Sequence, residues 1–441
     1  MRLEASNGAC KNWRHEHHGV RPFDVAADIR YTGANRKLSP PPGGFAALLE
    51  TPDMLDYGLT EEQIFIRDCA REIAEKKIRP VAAEYDREEI FPWDIVKALA
   101  AADMCGVYID EKYGGLGGSS PIMNMVLVTE ELSKACGGIS LAFAATGLGT
   151  IPIIVSASEE QKEKYLPDIA AGKKLAAFGL TEANAGSNVA GMATRAVKDG
   201  DDYIINGTKQ WITNGGEADI YTVFAVTNPE KGARGISAFI VEKGTEGFDF
   251  GKKEDKLGIR ASATRELVFQ DCRVHKSQLL GREGTGFITA MKTFDMSRPG
   301  VASQAVGIAT GALDLAVEFA SQRKQFGQPV SSFQGLRFML ADMAMKVEAA
   351  RALVYATARF IDNNPKVRPT MYAAMSKCFA SDVAMEVTTD AIQVFGGHGY
   401  MREYPIEKYM RDAKITQIYE GTNQIQRDEI GRALIQELHN R

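Results

Sequence analysis

From Thr60 onward, apolar residues recur at helical intervals. Ile66, Ala70 and Ile73 form one stripe, Thr60 and Gln63 read as a capping box ahead of it, and Pro80 ends the run. Pro92 sits where another helix can begin, a third covers about 121–134, and Ser158 with Gln161 opens a fourth that stops near Gly172. Near residue 175 the period shortens. Tyr203 to Ile205, Tyr221 to Val226, Ser237 to Val241 and Glu266 to Phe269 read as strands. Asp199-Gly200, Asn206-Gly207 and Asn214-Gly215 between them read as hairpin turns closing a sandwich or barrel. Helical patterns return over about 287–320, 331–362 and 366–396, with a shorter one near 427–439. The pattern predicts an α+β multi-domain chain. Its parts are a leader over 1–53, an N-terminal helical domain over 54–174, a middle antiparallel β-barrel over 175–284 and a C-terminal four-helix bundle over 285–441.

Two stretches depart from this scheme. Residues 135–158 carry no formal charge, yet Gly137, Gly138, Gly147, Gly149 and Pro152 interrupt them, so they read as a buried helix-loop-helix rather than a membrane span. Residues 1–53 show no period and read as a disordered arm. Glu4, Glu16, Asp24 and Asp28 argue against a mitochondrial transit peptide, and no apolar core of a secretory signal is present. The cluster His15, His17 and His18 is of a kind that usually binds nothing, so no metal is expected, and Met54 is a candidate start residue. A net charge of −5 gives no nucleic-acid footprint. The six cysteines contain no CxxC pair, which fits a reducing cytoplasm.

Candidate chemistry sits in five segments. Leu180 to Ser187 is rich in small residues that let backbone amides approach an anion, though an ordinary loop has the same composition. Trp211-Ile212-Thr213 ends a strand, where an exposed indole could stack on a planar cofactor or simply pack a core. Gln322 to Gly327 combines charge with an aromatic at a helix end. Gln393 to Tyr400 makes a glycine-rich turn in which His398 reads as a structural hydrogen-bonder. Tyr419 to Arg427 places one carboxylate, Glu420, before glycine, threonine and amides, a composition suited to a base on a turn. Tyr113 to Gly118 is glycine-rich without a preceding strand, so it is no dinucleotide fingerprint.

Taken in order, these segments resemble the acyl-CoA dehydrogenase family from Thr60 to the C-terminus. That resemblance implies FAD held without a Rossmann fold. Leu180, Thr181, Trp211, Ile212 and Thr213 are implied as flavin contacts, and Ser187 as a contact of both flavin and the CoA arm. Arg323, Phe326, Gln393, Val394, Gly396 and Gly397 are implied to reach the FAD of a neighbouring subunit, with Gln334, Thr422 and Gln424 as further cofactor contacts. Asp295, Arg298 and Gly421 are implied on the substrate side. Glu420 is implied as the base that removes the alpha proton of an acyl-CoA thioester while the beta hydrogen leaves as hydride to flavin N5. In the family, the thioester oxygen is hydrogen-bonded by a backbone N–H at the glutamate and by a flavin ribityl hydroxyl, the logic of an oxyanion hole.

The chain also departs from the family's pattern. Ala183 and Asn188 stand where proline and aspartate are frequent, and Ser297 stands where some relatives carry the base, which leaves Glu420 for that role. Relatives acting on glutaryl thioesters carry a pocket arginine at a position matched to Ser140, so an uncharged acyl tail is expected. Phe143, Leu148 and Pro152 are candidates to bound it. The resemblance further implies a homotetramer and an electron-transferring flavoprotein as acceptor. An oxygen-reactive oxidase and an idle FAD or acyl-CoA binding protein are the alternatives on the same scaffold.

Overall fold

Ile66, Ala70 and Ile73 are buried along α1 (Glu61–Ile73), and the helix continues as a π-helical turn over Ala74–Ile78 before Pro80. The structure, a computed structural model, describes residue 55 and residues 57–439. The expectations for the leader, the histidine cluster and Met54 lie outside those residues. Of the unit Met1–Thr60, the described part carries no regular element; the helices and strands belong to the compact unit Glu61–Arg441.

After α1 come α2 (Ala82–Glu88), α3 (Trp93–Ala101), α4 (Pro121–Ala135), α5 (Gly137–Ser156) and α6 (Glu159–Ala170). Pro92 caps α3, and Ser158 with Gln161 forms the predicted capping box of α6. The uncharged stretch is one helix rather than two. α5 runs unbroken through Gly147, Gly149 and Pro152 because its glycines serve packing: a Cβ at Gly149 would lie 2.5 Å from the Ala177 nitrogen. A helix apolar all round belongs in a core. Among the described residues, two helices have the length and apolarity to cross a membrane, α5 and the long helix after the sheet, and both are mostly buried.

The sheet holds β1 (Ala176–Gly179), β2 (Arg195–Asp199), β3 (Asp202–Thr213), β4 (Ile220–Val226), β5 (Ile236–Glu242), β6 (Phe248–Lys253), β7 (Thr264–His275) and β8 (Leu279–Leu280). Its order is β6-β7-β3-β2-β4-β5-β8, with β1 on β4. The expectation of an antiparallel barrel is corrected to a mixed sheet. β1 and β2 both pair with β4 in parallel, and no ladder joins β6 to β8 among the described residues. Of the three dipeptides read as hairpin turns, Asp199-Gly200 is one, joining β2 to β3 with Gly200 at φ 62°. Asn206-Gly207 is a bulge inside β3. Gly207 takes φ 141°, and a Cβ there would meet Thr194 Oγ1 at 2.6 Å. Asn206 uses its amide to pair with Asp271 on β7 instead. Asn214-Gly215 closes β3 without starting a hairpin, because the chain next enters β4, which pairs elsewhere. The sheet core gathers Tyr203, Tyr221, Phe239, Phe248 and Phe269, the last two stacked at 4.9 Å. Such aromatic pairs add about 1 kcal/mol each beyond area burial.

The C-terminal part contains α7 (Gly286–Gln322), a short hairpin of β9 (Lys324–Gln325) and β10 (Gln328–Pro329), α8 (Gln334–Asn363), α9 (Thr370–Phe395), α10 (Ile406–Thr416) and α11 (Asn423–His439). α9 packs against all four of the other helices, so the expected four-helix bundle has a fifth member, α10. α10 is short and strongly polar, and its Asp412 accepts from the Ile259 N–H at 2.6 Å while Arg411 pairs with Asp86. α4 and α5 pack on α7, which couples the helical parts on either side of the sheet. Cys69, Cys105, Cys136, Cys272 and Cys378 are all buried.

Candidate active site

Four elements meet around a cleft of about 690 Å³: the end of β1, the end of β3, the α4–α5 pair and the turn before α11. α7 forms its floor. Leu180, Thr181 and Ser187 come from the loop after β1, and Trp211, Ile212 and Thr213 from the end of β3. A buried ion pair shapes both segments. Lys209, wholly buried, donates to Glu182 at 2.8 Å and to the Leu180 carbonyl at 3.1 Å, while Glu182 also accepts from the Ala193 and Thr194 amides. Burial pulls the Lys209 pKa down to about 8, with Glu182 opposing that fall. The strand then bulges between Lys209 and Ile212, which turns Trp211 to φ 57° and leaves it 56 % exposed on the cleft. The hydroxyls of Thr181, Ser187 and Thr213 and the Trp211 indole N–H find no partner among the described residues, so the cleft wall carries unused donors and acceptors.

Glu420 lines the same cleft, at φ 53° and followed by Gly421 at φ 93°. Ser297 of α7 donates to Glu420 Oε2 at 2.5 Å. Arg298 Nε reaches the Glu420 carbonyl at 3.4 Å, its guanidinium pairs with Glu429, and it lies 5.6 Å from the Phe294 ring centre. Gln426 Nε2 donates to the carbonyls of Glu420 and Gly421 at 3.1 and 2.9 Å. Tyr419 donates to Gln304, which in turn donates to the Gly137 carbonyl. Desolvation raises the Glu420 pKa, and the Ser297 hydrogen bond and the charges of Arg298 and Lys377 oppose that rise. A carboxyl held this way takes up a proton more readily than a solvated one, as a base facing a weak carbon acid must.

Models of the acyl-CoA dehydrogenase N-terminal, middle and C-terminal domains match residues 60–173, 177–272 and 284–435. The chain belongs to the acyl-CoA dehydrogenase family. It is 48% identical to a short-chain-specific acyl-CoA dehydrogenase of Clostridium acetobutylicum, over 85% of this chain and 98% of that protein. Butyryl-CoA dehydrogenase of Megasphaera elsdenii superposes with a TM-score of 0.84 at 49% identity, over 86% of this chain and all of that one. A chain from a solved structure concerned with the electron transferring flavoprotein of Acidaminococcus fermentans gives 0.83 at 52% identity, over 86% and 99%.

Within this acyl-CoA dehydrogenase, Leu180, Thr181, Ser187, Trp211, Ile212, Thr213, Arg298, Glu420 and Gly421 come together in one cleft. Asp295 does not line it. Its buried carboxyl, whose pKa burial raises, accepts from Thr370 at 2.9 Å with Arg368 at 3.6 Å. Thr422 turns its hydroxyl back to the Ile425 amide at the start of α11, and Gln424 is exposed. Arg323, Phe326, Gln334, Gln393, Val394, Gly396 and Gly397 are also off the cleft. Arg323, which caps the C-terminal end of α7, lies 25 residues beyond Arg298, about 37 Å at 1.5 Å per residue. There Phe319 stacks on Phe395 at 4.1 Å, and the His398 ring packs against Phe319 and Tyr404, a structural place for that histidine.

The alignment of Ser140 with a pocket wall is corrected. Ser140, one turn before Ala144 on α5, is fully buried and does not line the cleft; its hydroxyl accepts from Ser133 and donates to the Gly137 carbonyl, each at 2.9 Å. Leu141, Ala144, Ala145 and Leu148 form that wall with Met125 and Thr129 of α4, all of them uncharged. Phe143 points instead at Tyr108, and Pro152 does not reach the cleft. Sequence reasoning missed Lys377, Gln426, Gln304 and the Lys209–Glu182 pair. A buried lysine in a helix carries no local signature that separates it from a solvated one.

Proposed function

We propose that the chain is an FAD-dependent dehydrogenase of short acyl-CoA thioesters that abstracts the alpha proton with Glu420 and yields the trans-2-enoyl product. The carrying observation is the burial of Glu420, a carboxyl with a raised pKa that lines the same cleft as Trp211 and the hydroxyls of Thr181, Ser187 and Thr213. Those unpaired donors, together with the open face of Trp211, fit a planar, polar cofactor, and Thr181, Trp211 and Thr213 would hold it. FAD, when bound, supplies the hydride acceptor.

The protein's own part is positional. Arg298 and Gln426 hold the turn by its carbonyls, and the turn carries the Glu420 and Gly421 amides to the cleft. Amides so placed can donate to a thioester oxygen as negative charge develops on it. The apolar walls exclude water, which favours proton transfer to a carboxylate matched to a weak carbon acid. Leu141, Ala144, Ala145 and Leu148 offer a tail carboxylate no partner, and the likeness to short-chain and butyryl-CoA dehydrogenases supports a short, uncharged tail.

The same reading extends beyond the cleft. Electrons leave to an electron-transferring flavoprotein, supported by the likeness to the Acidaminococcus chain. The far-end set from Arg323 to Gly397 serves the FAD site of a second copy within a homotetramer in the cytoplasm, and the domains divide near residues 174 and 284. Anaerobic flavin bleaching by butyryl-CoA tests the core of this. Glu420→Gln is expected to retain FAD and lose bleaching by about 10³-fold or more, and near-normal bleaching would sink the assignment. Rapid reduction by glutaryl-CoA would contradict the uncharged tail.

A further inference from the structure

Lys377 of α9 is completely buried, and its ammonium donates to two neutral oxygens, the Gly421 carbonyl at 2.8 Å and Asn423 Oδ1 at 2.9 Å. A buried ammonium with only neutral acceptors is a costly device unless its charge or its reach is used. Burial pulls its pKa down to about 8, and of the charges around it Glu420 acts most strongly in the other direction. The remaining charged and titratable groups facing it are Arg298 from α7 and Cys378 and Asp382 from its own helix. Asp382 is already engaged by Arg427 and Asn423 of α11 and by Gln417.

The turn that Lys377 touches is one that needs outside support. Glu420 and Gly421 are consecutive left-handed residues, a conformation that costs a non-glycine residue energy. Three side chains hold the turn by its carbonyls: Gln426 and Arg298 take Glu420, while Gln426 and Lys377 take Gly421. Gln426 follows the turn on α11 itself and Arg298 comes from α7. Lys377 alone of the three ties the turn to α9, the helix on which the whole bundle packs.

We infer that Lys377 is a positioning residue for the base: it ties the Gly421 carbonyl to α9 and sets a positive charge beside the turn that carries Glu420. This rests on Glu420 being the base. Two variants separate the parts, since Lys377→Gln keeps a donor without charge and Lys377→Met removes both. Both are measured as FAD-loaded protein, by anaerobic bleaching with butyryl-CoA across pH and by hydrogen exchange of residues 419–424. Without the cation the carboxylate forms less readily, so the acid limb of the pH profile should move up by about one pH unit in both variants. Plateau bleaching should fall about tenfold or more in Lys377→Met, and less in Lys377→Gln, with KM changed less than kcat. Exchange at 419–424 should speed most in Lys377→Met. A wild-type midpoint and wild-type exchange in both variants would overturn the inference; if Lys377→Met does not hold FAD, an unmoved midpoint in Lys377→Gln suffices. Full loss of bleaching in Glu420→Gln beside unaltered Lys377 variants would refute this inference alone. Undiminished bleaching in Glu420→Gln would remove the base assignment and the inference with it.

Discussion

The burial of Glu420, the proposed base, also sets a pH dependence on folding. Its pKa is raised in the native state, so the native state holds that proton more tightly than the unfolded chain does. The stabilising contribution is complete below the ordinary glutamate pKa and is lost as pH rises through the raised one. Glu420→Gln carries no such proton. It should unfold about 1–3 °C above the wild type near neutral pH, with the gap closing toward pH ~4. Thermal melts over that range check this, and a constant gap would show that the shift lies elsewhere. At this scale the sequence pointed to the proposed base but not to what surrounds it. Glu420 was legible because glycine, threonine and amides follow it directly. Ser297 could be read as the vacant second seat for a base, yet its hydroxyl touches the carboxylate, a contact made between α7 and a turn more than a hundred residues later.

Among the elements, α5 shows why local rules fail where backbones touch. Its glycines and proline argue for a break, but Gly149 fits against the Ala176–Ala177 backbone of β1 and leaves no room for a methyl group. Helix α5 carries Leu148 and the loop after β1 carries Leu180, both lining the cleft, so this contact sets the cleft's width. Gly149→Ala should cost about 2–3 kcal/mol by overpacking and raise KM for butyryl-CoA. Chemical denaturation with steady-state kinetics tests both parts, and a stable variant with unchanged KM would show that α5 and β1 can separate freely. The long helices α7, α8 and α9 were readable because amphipathic periods over many residues average out single exceptions. Asn206-Gly207 was not, since the same dipeptide suits a turn and a bulge, and only pairing with β7 decides between them.

For the whole molecule, the order of helical, sheet and helical parts followed from the change of period along the chain. The mixed sheet did not, because the parallel pairing of β1 with β4 joins strands separated by two others in sequence. At the far end of α7, Phe326 is 92 % exposed at φ 54°, Tyr400 is 84 % exposed, and both lie in segments tied to the proposed cofactor contacts. An apolar ring so placed is a candidate for burial by a second copy. Phe326→Glu should therefore lower the mass seen by light scattering and the FAD bound per chain; an intact assembly with full FAD would place the contact elsewhere. The chain holds three tryptophans. Trp93 is fixed by Glu217, Trp13 lies outside the described residues, and Trp211 stands open on the cleft. Between the two described tryptophans, Trp93 is thereby a spectator and Trp211 a reporter. Quenching of the Trp211 component gives an optical signal of cleft occupancy that needs no label and no turnover.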